Sequence, residues 1–182
     1  MNALAAYGLI AHALIFGALV SLLPLGEWRP RVALAATTLA LLVGIAPGVH
    51  GIFGMPSVTL LQLALLQLAG RSPSPFTFGP ALGVLTFAAC FYGLAYGSES
   101  LDPYPLGYQP WPIFLALIPV AAALCWRRMP MGAHLLSVNL LAYATGVFPN
   151  FWDVLIDPLL VVLALAIVSM QCWARFSASR RR

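Results

Sequence analysis

Seven apolar runs, each closed by a polar or a glycine- and proline-rich break, divide the chain. The first fills residues 1–25 and stops at the turn Gly26-Glu27-Trp28-Arg29-Pro30-Arg31. It has no basic leader and no small-x-small cleavage site, so it reads as a retained span and not as a cleaved signal. The second covers residues 32–45 and runs into the breaker-rich stretch 44–56. The third, residues 57–69, is interrupted by Gln62 and Gln67 and ends at Arg71. The fourth covers residues 76–97, the fifth 111–126, the sixth 131–148 and the seventh 152–173. Runs of this length and apolarity predict membrane-spanning helices. The fold class expected is all-α: a polytopic membrane helix bundle of about seven spans.

Runs two and three are short. A helix over residues 56–70 reaches about 22 Å, against a hydrocarbon core of about 30 Å. Two thin, tilted spans are favoured. A re-entrant hairpin would preserve the same sidedness and would place non-helical backbone near His50, which is tolerated only against protein or water.

Composition supports the membrane reading. Of 182 residues, 62% are hydrophobic and only 8% charged, too few to build a water-facing surface. The net charge of +4 is scattered over short connections and a tail, so it does not form a nucleic-acid face. All basic residues are arginine, which excludes Schiff-base chemistry at a lysine. Richness in Ala, Leu, Gly, Pro and Arg fits a GC-rich bacterial genome. Cys90, Cys125 and Cys172 lie within apolar runs at spacings that suit neither disulfides nor zinc, and are expected to be small buried hydrophobes.

Charge then turns the runs into a topology. Arg29 and Arg31 follow run one, Arg71 run three, Arg127 and Arg128 run five, and Arg175 onward run seven. Alternating spans put all nine arginines on one side, the cytoplasmic one by the positive-inside bias. The N-terminus is then outside and the C-terminus inside. Glu99, Asp102, Asp153 and Asp157 fall outside, and Glu27 alone sits with the arginines. The expected organisation is one transmembrane domain over residues 1–182, with an ordered outer loop at 98–110 and a basic cytoplasmic tail at 175–182. The expected location is the bacterial inner membrane.

Candidate chemistry gathers on the carboxylate side. Asp153 and Asp157 are four apart, on one helix face, at the start of the last run. Asn150 can cap a helix, and Asp157-Pro158 is itself an N-cap signal, so capping competes with function at this segment. Asp157 is the deeper residue and the preferred functional candidate. Asp102, in the loop with Tyr104, Tyr108 and Gln109, is either a turn starter before Pro103 or a lid carboxylate. His50, flanked by Gly48 and Gly51, is the histidine expected to meet a substrate or a carboxylate. His12 reads as a buried helix contact and His134 as interfacial. Three isolated histidines make no metal site, and no cofactor motif is present. Gln62, Gln67 and Asn139 are expected to hydrogen-bond between helices. Ser57 and Thr59 look like an N-cap after Pro56.

The sequence favours an accessory or scaffold subunit with its polar face on the periplasmic side. One alternative is a membrane-embedded enzyme using Asp157, Asp153, Asp102 and His50 as acid–base groups on a lipid-linked substrate. The other is a small proton-coupled transporter. Its partners are the lipid bilayer and either a membrane protein or such a substrate.

Overall fold

The computed structural model describes residues 3–70, 77–97 and 102–180. Arg71, Glu99, Arg181, Arg182 and the first part of the 98–110 loop lie outside them. Among the described residues every regular element is helical. The helices are α1 (Ala3–Val20), α2 (Arg29–Leu42), α3 (Ile45–Phe53), α4 (Val58–Leu68), α5 (Phe78–Gly97), α6 (Pro110–Trp126), α7 (Pro130–Ala144), α8 (Phe151–Leu155) and α9 (Pro158–Ser179). Three of them, α1, α5 and α9, are long and apolar enough to cross a membrane, and the count rises to four if α2 and α3 form one bent span.

Local signals set the boundaries. Proline opens α6, α7 and α9 and sits in the first turn of α2, where its missing N–H costs nothing. The second apolar run forms α2, and the breaker-rich stretch after it is itself helical, as α3. The chain turns by 71° between the two, at Gly44, whose φ of 80° only glycine adopts cheaply. The third run shrinks to the 11 residues of α4. The seventh begins with a separate five-residue helix, α8, before α9.

The short α4 is the centre of the packing. Leu60, Leu63 and Ala64 meet Ile15 and Ala18 of α1, Ala88 of α5, and Ile156 and Leu160 at the head of α9. α1 also packs on α2 and α3, α5 lies along α9, and α7 joins α4 to α6 and α8. Close approach of α1 and α2 requires Gly17, because a Cβ there would overlap the Thr37 side chain.

A short helix held inside a bundle must satisfy both of its ends internally. Ser57 Oγ accepts the Leu60 N–H at 3.2 Å, and the Ser57 N–H donates to Asp157 at 2.8 Å. At the other end Arg29 donates to the Gln67 carbonyl at 2.8 Å. A carboxylate at the N-terminus and a guanidinium at the C-terminus both oppose the helix dipole favourably. Along its side, Gln62 donates to Asn139 of α7 at 2.9 Å, and Asn139 donates to Thr59 at 2.8 Å. This is the interhelical role expected of the amides. Gln67 reaches Ser21 at 3.5 Å.

The cysteine expectation fails: Cys90, Cys125 and Cys172 are all exposed. So are large apolar residues such as Leu42, Ile52, Leu115 and Trp126, the last at 90%. In a bundle whose outer surface is itself apolar, lying in an apolar run does not distinguish the inside from the outside.

Candidate functional site

Two helix breaks face one another. One is the link between α3 and α4, residues 54–57; the other is the link between α8 and α9, residues 156–157. Asp157 ties them together. Its Oδ1 accepts the Leu160 N–H at 3.0 Å and so caps α9, and its Oδ2 accepts the Ser57 N–H. Asp157 is buried, and the capping expectation holds for it. The segment is two helices, with Asn150 capping α8 through Trp152 N–H and Asp157 capping α9. Asp153 is left free of a capping role. It is half-buried in α8, where both of its oxygens face the Tyr104 hydroxyl, at 3.1 and 3.4 Å.

The described part of the 98–110 loop, residues 102–110, is sewn to the same region. Asp102 Oδ1 accepts the Tyr104 N–H at 2.9 Å, the turn-starting role. Residues Tyr104–Tyr108 form a 3-10 turn. Trp152 Nε1 donates to the Pro103 carbonyl at 3.0 Å, Asn150 Nδ2 to the Tyr104 carbonyl at 3.2 Å, and the Tyr143 hydroxyl to the Gly107 carbonyl at 3.2 Å. Gly107 lies so close to Asn150 and Trp152 that a Cβ would overlap the Asn150 side chain.

Beside these contacts lies an open cleft of about 560 Å³. Asp102, Asp153 and Asp157 all line it, with the phenols of Tyr92, Tyr96 and Tyr104. Phe91, Phe148 and Trp152 add aromatic walls, and Phe91 and Trp152 are in tilted contact with ring centroids 5.1 Å apart. No arginine, lysine or histidine is among the described lining residues. Burial raises the Asp153 carboxyl above the ordinary aspartate range, opposed in part by the Tyr104 hydrogen bond. Burial, and then the Asp153 charge, pushes the Tyr104 phenol well above the usual tyrosine range, so it stays a donor. The site therefore offers a carboxyl able to hold or release a proton, beside a fixed phenol.

His50 stands outside this cleft. Its Nδ1 donates to the Gly54 carbonyl at 3.0 Å, and the same carbonyl accepts His12 Nε2 at 2.9 Å. The two rings lie 5.7 Å apart. His12 is thus the buried, hydrogen-bonded helix contact expected of it, and the three carboxylates come together without His50. Tyr92 and Tyr96, stacked at 6.1 Å, line the cleft and were not singled out by sequence reasoning. Their i, i+4 spacing was visible, but aromatic residues at a span end are ordinary interfacial features.

Compared with protein-family models, curated proteins and solved structures, the chain matches none.

Proposed function

We propose that this chain is a multi-pass enzyme of the bacterial inner membrane that works on a lipid-linked substrate at the periplasmic interface. The observation that carries the reading is the meeting of Asp102, Asp153 and Asp157 on one cleft that no cationic side chain lines among the described residues. Asp153 is the acid–base group, because it is half-buried, lines the cleft and is oriented by Tyr104. Asp157 is a positioning residue, with both oxygens committed to helix N–H groups. Arg29 and Arg175 support the sidedness. Arg29 binds the C-terminal end of α4 and Arg175 lies over Phe78 at the start of α5, whereas the cleft takes its lining from the C-terminal end of α5 and the head of α9. By the positive-inside bias the arginine end is cytoplasmic.

The cleft lies near one end of the bundle, beside Leu4 of α1. That position suits an interfacial reaction better than a carrier, whose site belongs near the bilayer midplane.

The test is lipid profiling of cells lacking the protein. A lipid-linked species that accumulates should be cleared by the wild type but not by Asp153→Asn at equal membrane abundance. Full clearance by Asp153→Asn overturns the reading.

The accessory-subunit reading keeps one observation of its own. α6 buries only Ile113, and Trp111, Leu115, Ile118 and Trp126 are exposed on its surface. Purification in mild detergent that returns the bare protein counts against that role.

A further inference from the structure

The chemistry of the cleft walls names a ligand class, on the reading that this cleft is the working site. We infer that it binds an organic ammonium group attached to an apolar chain. Aromatic faces and carboxylates attract such a cation by different physics. The ring quadrupole favours positive charge over the face of Trp, Tyr or Phe, while a carboxylate supplies a full counter-charge. Here Phe91, Tyr92, Tyr96 and Trp152 surround a space also bordered by Asp102 and Asp153. A carboxylate has about four lone-pair directions, and the Tyr104 hydroxyl is a single donor to Asp153.

Two alternatives fit less well. A phosphate or carboxylate ligand would enter a space lined by three carboxylates with no described cation to meet it. A bare metal ion needs several close hard ligands, and among the described residues no group of three or more His, Cys, Asp or Glu side chains could hold one. The volume of about 560 Å³ is that of a site for a small organic molecule. Toward α1 and α3 the lining turns to Leu4, Phe53 and Met55. An alkyl or acyl chain leaving the headgroup would lie there.

The experiment is calorimetric titration of the full chain in a maltoside detergent with four probes. These are choline, its uncharged isostere 3,3-dimethylbutan-1-ol, hexyltrimethylammonium and hexyl phosphate. Choline should bind about tenfold more tightly than the isostere, and the hexyl cation more tightly again. Asp153→Asn and Trp152→Leu should each weaken both cations by about tenfold. Tyr96→Leu, at an exposed position on the cleft edge, serves if Trp152→Leu does not fold, with a loss of about fivefold. Tighter binding of the hexyl cation than of choline supports the attached apolar chain; equal binding of both overturns that part of the inference and leaves a soluble ammonium. Isostere or phosphate binding as tight as choline overturns the ammonium inference. Binding of none of the four also overturns the inference, and the lipid profile of Asp153→Asn then judges the enzyme reading separately.

Discussion

Asp157 and Ser57, one hundred residues apart in the chain, are joined by a hydrogen bond of 2.8 Å from the Ser57 N–H to Asp157 Oδ2. Ser57 caps α4 and Asp157 caps α9, so this one bond locks two helix N-termini together. Asp157→Ala removes the α9 cap and strands a buried N–H at Ser57. The expected loss is about 2–4 kcal/mol, from a cap of about 1 and an unsatisfied donor of about 1–3. Asp157→Asn keeps one acceptor oxygen and should lose about half as much. Thermal unfolding in detergent checks this; equal melting of wild type and Asp157→Ala would remove the locking role.

Gly107→Ala should release the 102–110 loop. The new Cβ has no room beside Asn150 and Trp152, and overpacking of this kind costs about 1–3 kcal/mol. Gly93→Ala is the control: nothing lies within 4 Å of its Cβ position, and alanine favours the helix. Protease accessibility of the 102–110 segment should rise in the first variant and stay unchanged in the second. Identical protection in both would show that the loop does not depend on this contact.

The raised Asp153 carboxyl predicts the sign of a pH effect. The native state binds this proton more tightly than the unfolded chain does. The resulting stabilisation is complete below the unfolded value of about 3.9 and is lost as pH climbs through the raised native value. Asp153→Asn should flatten the melting temperature across that window. Tyr104→Phe removes the bond that favours the charged carboxylate, so the loss should extend to higher pH. Melting curves of the three proteins from acid to neutral pH decide it; parallel pH profiles would mean that Asp153 does not titrate in this way.

The Gln62–Asn139 bond lends itself to a double-mutant cycle. Asn139→Leu alone leaves the Gln62 amide with only its weaker 3.3 Å bond to the Leu135 carbonyl, and should cost about 1–2 kcal/mol. The double variant with Gln62→Leu should cost less than the sum of the two single changes, by about 1 kcal/mol. Additive losses would show that the bond carries no coupling.

Sidedness can be read by thiol labelling in a background lacking Cys90, Cys125 and Cys172. Leu106→Cys, exposed in the 102–110 loop, should react with an impermeant reagent on intact spheroplasts. Ser179→Cys, at the end of α9, should react only in inverted vesicles. The reverse pattern would invert the proposed orientation.

The sequence by itself determined the helical class, most helix positions and, Glu27 apart, the separation of arginines from carboxylates along the chain. Apolar runs and their proline, glycine and asparagine punctuation are local signals. The caps at Ser57, Asn150 and Asp157 were legible for that reason. What the sequence could not carry is which face of each helix turns inward. Most of the long helices are apolar nearly all round, so there is little amphipathic stripe to read, and the exposed cysteines are the plainest result. Nor could it say that α4 would become a short central helix held at its ends by Asp157 and Arg29. Tertiary packing alone brought Asp102, Asp153 and Asp157 to one cleft and left His50 with Gly54. Its reason is the need to satisfy polar backbone ends inside an apolar bundle, which is a relation between distant residues and not a property of any stretch of chain.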